Sequence, residues 1–395
     1  MQYNKDNNNV IPMAVATVVP DQKSQRGGEL LEGRSHRVLV PNAQASSKQL
    51  SNHEIETLTD QGYTRGLIKS IARSNISFPL RIWVVDNSGS MMTGDGHRMV
   101  QTGNSDNVRF VDCSRWSEIQ QTVEYHAQIA ALLEAPTVFR LLNDPGRMVG
   151  PQQFSIAERG GDFLAEDLKV ALNTMKNTQP SGVTPLSDHV REIRENVVSM
   201  KDDLLQSGQK VVIVLATDGL PSNSHGISSS HTRNEFQNAL RSLEGLPVWV
   251  VVRLCTDEDN VVEFYNNLDS ELELSLEVID DFMGEAEEIY EHNRWLNYSL
   301  ILQRIRESGF NHKLFDLLDE RALTKDELLS FFTLIFGEFD GIPDPQIDWK
   351  GFVNHITTAV NQERRQWNPI KKKMMPWIDM KELSKKYGDP SCTIM

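Results

Sequence analysis

Between residues 78 and 281, short apolar runs alternate with segments that have the periodicity of amphipathic helices. The runs are IWVVD at 82–86, TVFRLL at 137–142, VVIVLATD at 211–218, VWVVVRL at 248–254 and LSLEVI at 274–279. Three of them are nearly continuous in Val, Ile, Leu and Trp, which is typical of strands buried on both faces of a parallel sheet. The alternation predicts right-handed crossovers and a doubly wound, mostly parallel α/β fold.

The segments between these runs predict the remaining elements of the sheet domain. Ser117 is a candidate N-cap of the first helix and Pro136 lies beyond its end. A short antiparallel edge strand is predicted at 151–157. The helices are predicted at 117–134, 163–175, 188–205, 233–243 and 261–268.

The rest of the chain divides into an arm, an extension and a tail. Residues 1–50 are rich in Asn, Gln, Ser and Gly, and we expect a mostly disordered arm. The sheet domain is placed at 51–281, with its core at 78–281. A helical extension is expected at 282–365, with a long helix at 285–307 and shorter ones near 311–318, 325–336 and 352–360. Residues 366–395 are interpreted as a basic tail.

Composition excludes some classes of function. The formal charge of -15 argues against a nucleic-acid partner, because phosphate contacts need clustered Lys and Arg. The three cysteines, Cys113, Cys255 and Cys392, suit neither a disulfide framework nor a zinc site, which favours a reducing compartment. We expect a protein of the cytoplasm, because its N-terminus lacks a secretory pattern and no run of eighteen apolar residues occurs.

Oxygen-bearing side chains follow two of the predicted strands. The first strand runs into Asp86-Asn87-Ser88-Gly89-Ser90, and the central one ends in Thr217-Asp218-Gly219; a third loop, with Thr184, precedes a helix. Ligands of open α/β sheets collect where such loops converge. Carboxylates and hydroxyls are hard donors that suit Mg²⁺, or Mn²⁺ in its place.

The order D-x-S-x-S, loop threonine, later aspartate resembles the metal-ion-dependent adhesion site of the von Willebrand factor type A (VWA) family. The resemblance spans 78–281, about half of the chain. It implies that Ser88, Ser90 and Thr184 are direct ligands and that Asp86 and Asp218 complete the site, directly or through water. It also implies that an acidic side chain of a partner protein fills the open position of the metal.

Two polar segments allow two interpretations each. Residues 91–115 form a long link after the metal loop; they are either a specificity hairpin turning near Gly103-Asn104 or an ordinary surface insertion. Residues 256–291 hold fourteen Asp or Glu and no Lys or Arg. They form either a docking face or a solvated helical face.

Enzyme alternatives are weaker on the residues present. A serine nucleophile at Ser88 lacks the G-x-S-x-G elbow, and an Asp86 phosphatase lacks a second aspartate two residues on. The alternative function is therefore a metal-dependent hydrolase that uses Asp86 and Asp218. A third hypothesis is a scaffold subunit that docks to a larger ATPase or ubiquitin-linked machine.

The C-terminal sequence Cys392-Thr393-Ile394-Met395 resembles a C-a-a-X prenylation box whose terminal Met favours farnesyl. One lipid chain anchors only marginally, so stable attachment needs a second, basic signal. The upstream lysines that would supply it are Lys371, Lys372, Lys373, Lys381, Lys385 and Lys386. The alternative interpretation is a frayed tail in which the cysteine thiol has no function. Our hypothesis is a non-enzymatic, Mg²⁺-dependent protein-binding module, tethered to an anionic cytoplasmic membrane face through Cys392.

Overall fold

A six-stranded sheet forms the centre of the molecule in the computed structural model, which describes residues 49–101 and 108–388. Its strands, in chain order, are β1 (Leu80–Val85), β4 (Thr137–Leu141), β5 (Gln153–Ile156), β6 (Val211–Thr217), β7 (Val248–Leu254) and β8 (Leu276–Ile279). The spatial order is β5-β4-β1-β6-β7-β8, with β5 antiparallel and all other pairs parallel. The predicted α/β fold with a mostly parallel sheet is confirmed.

Helices cover both faces of this sheet. Side chains alternate between the faces along a strand; in β1, Ile82 and Val84 pack on one side, Trp83 and Val85 on the other. The first side is covered by α5 (Leu186–Ser207), α6 (Ser230–Arg241) and α7 (Asp259–Glu271). The second is covered by α3 (Arg115–Leu132) and α4 (Leu164–Asn177). This burial on both faces explains why β1, β6 and β7 are buried along their whole length and mostly apolar.

The cap predicted for the first sheet helix was placed three residues too late. Ser114, not Ser117, is the N-cap of α3, and its hydroxyl accepts a hydrogen bond from the Ser117 backbone N–H at 3.2 Å. Both serines satisfy the sequence preference for a cap. Ser114 takes the position because it lies between the last residue of the preceding strand, Cys113, and the first residue of the helix, Arg115.

A separate helical core packs against the sheet domain and draws on both ends of the described chain. Its helices are α1 (Asn52–Asp60), α2 (Arg65–Ser77), α8 (Phe282–His292), α9 (Leu300–Glu307), α10 (Lys313–Glu320), α11 (Lys325–Phe336), α12 (Trp349–Gln362) and α13 (Met380–Tyr387). The two N-terminal helices belong to this core: Thr64 donates to the Ile335 carbonyl, and a side chain on Gly66 would meet the Leu334 carbonyl at 2.4 Å.

The predicted long helix over 285–307 is wrong, because two helices, α8 and α9, occupy this range. The Asn293 side chain donates to the carbonyls of Leu318 and Arg321 at 2.8 and 2.9 Å, which pulls the chain out of the helix. The next residues pair with the C-terminal segment; Leu296 bridges Ile378. The residues between α8 and α9 include no Pro or Gly that would end a helix. Tertiary hydrogen bonds therefore interrupt a sequence pattern that is helical throughout.

The segment interpreted as a basic tail is folded over 366–388, which corrects that interpretation. It forms a hairpin of β9 (Gln366–Asn368) and β10 (Lys373–Met375), followed by α13. Trp377, Ile378 and Leu383 of this segment are fully buried in the helical core. Their burial holds the segment in place, while its lysines remain at the surface.

The described parts of the polar insertion, 91–101 and 108–115, also form regular elements. After a 3-10 turn at Gly89–Met92, β2 (Gly96–Gln101) and β3 (Val108–Cys113) pair as an antiparallel hairpin. The hairpin packs on α3, with the His97 N–H donating to Glu118 at 2.9 Å and the Gln121 amide donating to the Met99 carbonyl at 3.0 Å. The predicted turn at Gly103-Asn104 and residues 1–48 of the predicted arm at 1–50 lie outside the described residues.

Candidate metal centre

The candidate site lies where the direction of strand connection reverses in the sheet. From β1 the chain goes to β4 on one side and later to β6 on the other, so β1 and β6 flank the switch point. Their register pairs Val85 with Ala216, which brings the next residues, Asp86 and Thr217, together. Ligands of open α/β sheets bind in the crevice outside such a point.

Hydrogen bonds connect four of the five predicted ligand residues. The Ser88 backbone N–H donates to Asp86 Oδ1 at 2.8 Å, and the hydroxyls of Ser88 and Ser90 lie 3.0 Å apart. Ser90 donates to Asp218 Oδ1 at 2.8 Å. Thr217, which was not predicted as a site residue, donates to Asp86 Oδ2 at 2.6 Å and fixes that carboxylate.

Thr184 is positioned beside this group through its backbone. Its N–H donates to the Ser222 hydroxyl and its carbonyl accepts from the Ser222 N–H, both at 2.9 Å. Its hydroxyl oxygen lies 3.8 Å from the position that a Cβ atom on Gly219 would occupy. The loop before α5 therefore places Thr184 next to the residue that follows Asp218.

The loop that carries Thr184 depends on a glycine. Gly182 has a φ of +97°, and a Cβ there would lie 2.4 Å from Asn143 Oδ1. Two backbone hydrogen bonds join this loop to the D-x-S-x-S loop: Ser181 N–H to the Asn87 carbonyl at 2.7 Å and Gly89 N–H to the Gly182 carbonyl at 3.4 Å. The two loops are thereby held at a fixed separation.

Arg115 is a site neighbour that the sequence reasoning missed. Its guanidinium donates to Asp218 Oδ2 at 3.0 Å, to both oxygens of Asp95 at 2.7 and 2.6 Å, and to Glu258 at 3.1 Å. Arg115 and Asp218 are almost fully buried, whereas about half of each of the other two carboxylates is exposed. In the sequence, only the position of Arg115 at the end of the polar insertion links it to the metal loop.

Burial raises the pKa values of both acids of the site, Asp86 and Asp218. Burial and the negative charge of Asp218 raise the pKa of Asp86 to about 6. Burial also raises the pKa of Asp218, although hydrogen bonds from Ser90 and Arg115 offset part of this shift. Two carboxylates in a low-dielectric setting favour a proton or a cation nearby.

The donor set fits a small hard cation. Asp86, Ser88, Ser90, Thr184 and Asp218 offer carboxylate and hydroxyl oxygens from three loops at one edge of the sheet, and oxygen ligands are those that Mg²⁺ prefers. Two of the hydroxyls already contact each other and Asp218. These side chains are the ones that would hold the ion.

A second group of potential metal ligands lies at the base of the β2–β3 hairpin. Single atoms of His97, Glu118 and Asp281 all lie within 4.8 Å of one another. Glu118 also pairs with the Arg253 guanidinium, and Asp281 caps α8 by accepting from the Met283 and Gly284 N–H groups at 2.7 and 2.8 Å. These carboxylates thus have structural partners of their own.

The lysines predicted as a membrane patch have mixed surroundings. Lys371 donates to the Tyr290 hydroxyl at 2.9 Å, Lys386 contacts the His292 carbonyl, and Lys385 lies 4.0 Å from Glu382. Lys372, Lys373 and Lys381 are exposed. Cys392, the predicted lipidation site, lies outside the described residues. In the described part of the chain, no helix has both the length and the apolar character needed to cross a bilayer.

Comparisons with known proteins leave the family unassigned. No family model matches the chain, and no curated protein matches it. One solved structure to which it is similar is a point mutant of the PilB minor pilin from Streptococcus sanguinis. The TM-score is 0.34 and the identity 16%, over 51% of this chain and 56% of the pilin chain. Similarity at this level assigns neither family nor function.

Proposed function

We propose that this protein is a VWA-type, Mg²⁺-dependent protein-binding module. The observation that carries the proposal is the hydrogen-bonded set of Asp86, Ser88, Ser90 and Asp218, which lies at the switch point between β1 and β6. The binding function is inferred from the resemblance to the adhesion site. The position of these residues at the switch point of the sheet is consistent with it.

In this proposal the hydroxyls and carboxylates hold the ion and a partner carboxylate completes its coordination. When bound, Mg²⁺ supplies a positive charge that attracts the acidic side chain of the partner. Thr217 keeps the Asp86 carboxylate oriented, and Arg115 neutralises one oxygen of Asp218. Because three of the five donors are neutral hydroxyls, the bound ion retains much of its charge for the partner.

The test is a calorimetric titration of the full chain with Mg²⁺ and with Mn²⁺. We expect saturable binding at one site that is lost in Asp86→Ala and in Asp218→Ala. Asp202→Ala is the matched control, because it removes an exposed carboxylate from α5, away from the site. Retained binding in both site variants would contradict the proposal.

A second measurement separates binding from catalysis. The alternative function, a metal-dependent hydrolase, requires turnover of a phosphate or ester substrate that disappears in Asp218→Asn. A chromogenic phosphomonoester and a chromogenic ester are suitable probes. Metal-dependent turnover of either one, lost in that variant, would replace the binding module with an enzyme.

The membrane tether is a proposal that rests on the C-terminal sequence. Farnesylation at Cys392, together with the lysines upstream, would attach the module to an anionic cytoplasmic membrane face. Mass spectrometry of the protein produced in eukaryotic cells tests it. We expect a farnesyl adduct on Cys392 that is absent in Cys392→Ser; an unmodified thiol would contradict the tether.

A further inference from the structure

A large groove lies between the two small hairpins of the molecule. The β2–β3 hairpin lines one part, the β9–β10 segment lines another, and α8 and α9 contribute the residues between them. Its volume of about 1340 Å³ exceeds the range of about 300–1,000 Å³ typical of small-molecule pockets. None of the five candidate metal ligands lines it. The groove is large enough for a segment of a macromolecule.

Positive charge dominates the walls of the groove, although the whole chain carries -15. The cationic lining residues are Arg109, Arg364, Arg365, Lys372 and Lys373. Arg364 is paired with Asp60 at 2.6 Å, and the other lining acid, Asp112, lies 3.6 Å from His97. The remaining four cations form no ion pair with a carboxylate in the part of the chain that the structure describes, and all four are exposed. The groove is therefore complementary to a negatively charged ligand.

Apolar side chains accompany these cations. The large ones are Met99, Phe110, Met283, Trp367 and Met374. Methionine adapts its shape to different apolar side chains, and Trp is enriched among residues that dominate binding energy. This mixture fits a ligand that combines carboxylates with at least one aromatic or aliphatic group.

We propose that this groove binds an acidic segment of another protein, in which Asp or Glu residues flank an aromatic or aliphatic anchor. The free cations pair with the carboxylates, and the methionines and Trp367 receive the anchor. A concave groove favours a peptide over a bilayer, because a planar surface cannot fill it. This surface contains none of the proposed metal ligands, and binding to it requires no metal ion; Lys372 and Lys373 also belong to the lysine set of the proposed membrane tether.

Fluorescence anisotropy with the full chain tests the proposal. The probe is a short fluorescein-labelled peptide of Glu and Ser with a central Phe. Two control peptides replace every Glu with Lys, or the Phe with Ala. We expect binding of the Glu peptide, weaker binding of the Ala version and none of the Lys version. Chelator should leave the affinity unchanged, and so should Asp86→Ala, which separates this test from that of the metal site.

Charge reversal locates the binding surface. We expect Arg365→Glu combined with Lys372→Glu to weaken peptide binding about tenfold or more, since a tenfold change corresponds to only about 1.4 kcal/mol. Lys381→Glu combined with Lys385→Glu is the matched control, because it makes the same charge change on exposed residues of α13 outside the groove. Circular dichroism checks that both variants fold.

Three outcomes would overturn the proposal. Equal loss of peptide binding in the two charge-reversal variants would mean a diffuse charge effect. Tight binding of the chain to phosphatidylcholine vesicles that contain phosphatidylserine, without binding of the Glu peptide, would mean that the cations bind a membrane. If the Glu peptide fails to bind, sedimentation tests whether the chain self-associates. Self-association that is lost only in the groove variant would mean that a second copy of the chain occupies the groove.

Discussion

Asp86 is fully buried at the end of β1, yet its carboxylate accepts hydrogen bonds from the Ser88 N–H and the Thr217 hydroxyl. These two donors orient the side chain without neutralising it. The guanidinium of Arg115 pairs with Asp218 instead. An uncompensated buried carboxylate is costly, and a divalent cation relieves that cost.

The pH dependence of metal binding follows from this residue. Because the pKa of Asp86 in the metal-free protein is about 6, protons compete with Mg²⁺ below that pH. We expect the dissociation constant for Mg²⁺ to rise as the pH falls through 6. The raised pKa also means that this group stabilises the metal-free fold below its ordinary pKa of about 3.9 and that this contribution is lost as the pH rises through about 6.

Calorimetric titrations above and below pH 6 measure the first effect, and urea unfolding without metal measures the second. In Asp86→Asn the stability of the metal-free protein should vary less with pH over this range. Asp202→Asn, on the surface of α5, should behave like the unchanged protein. A dissociation constant that stays constant across pH 6 would show that Asp86 does not bind the ion.

The loop carrying Thr184 has little conformational freedom at Gly182. Replacing Gly182 with Ala forces a side chain into a positive φ and against Asn143, whose amide also donates to the Val183 carbonyl at 2.8 Å. We expect Gly182→Ala to shift this loop and to lower Mg²⁺ affinity about tenfold, a loss of about 1.4 kcal/mol. Titration calorimetry of the variant gives the measurement.

Gly160→Ala is the matched control for Gly182→Ala. Gly160 has a similar φ of +89°, but nothing lies within 4 Å of its added Cβ. Both substitutions should cost about 1 kcal/mol of stability or more through the backbone. Only the change at Gly182 should alter metal binding. Equal effects on affinity would mean that general destabilisation, not the position of Thr184, is responsible.

The sequence predicted elements well where local pattern and tertiary packing agree. β1, β6 and β7 are mostly apolar and fully buried because both faces of the sheet are covered, and Asp86 and Asp218 directly follow β1 and β6. The break at Asn293 depends on carbonyls that lie more than twenty residues away, and no local pattern reports them. Arg115 was missed for the same reason: its three carboxylate partners are distant in sequence or lie in a polar segment without a recognisable motif.

At the scale of the molecule, a buried charge network joins the sheet to the helical core. Glu307 of α9 accepts from Arg253 of β7 at 3.3 Å, from Arg304 at 2.8 Å, and contacts His126 of α3 at 3.2 Å. Burial acts to raise the pKa of Glu307, but Arg304, His126 and Arg253 lower it well below its usual range. The stability that it contributes is therefore present above its ordinary pKa of about 4.3 and is lost as the pH falls below it.

We expect Glu307→Gln to destabilise the protein by about 3–5 kcal/mol, because it leaves two buried guanidinium groups without their shared carboxylate. Glu320→Gln, an exposed change on α10, should stay within about 0.5 kcal/mol. Urea unfolding followed by circular dichroism and by tryptophan fluorescence should give one coincident transition for the unchanged chain. Separate transitions would show that the helical core and the sheet fold independently.

The two outer strands of the sheet, β5 and β8, are each four residues long. An exposed strand edge is a template on which other chains add strands and aggregate, and short edges limit that growth. Pro151 precedes β5, and Asp280 and Asp281 follow β8, so neither edge can easily be lengthened by its own flanks. Short outer strands thus limit edge-to-edge pairing between copies of a chain whose central sheet is strongly apolar.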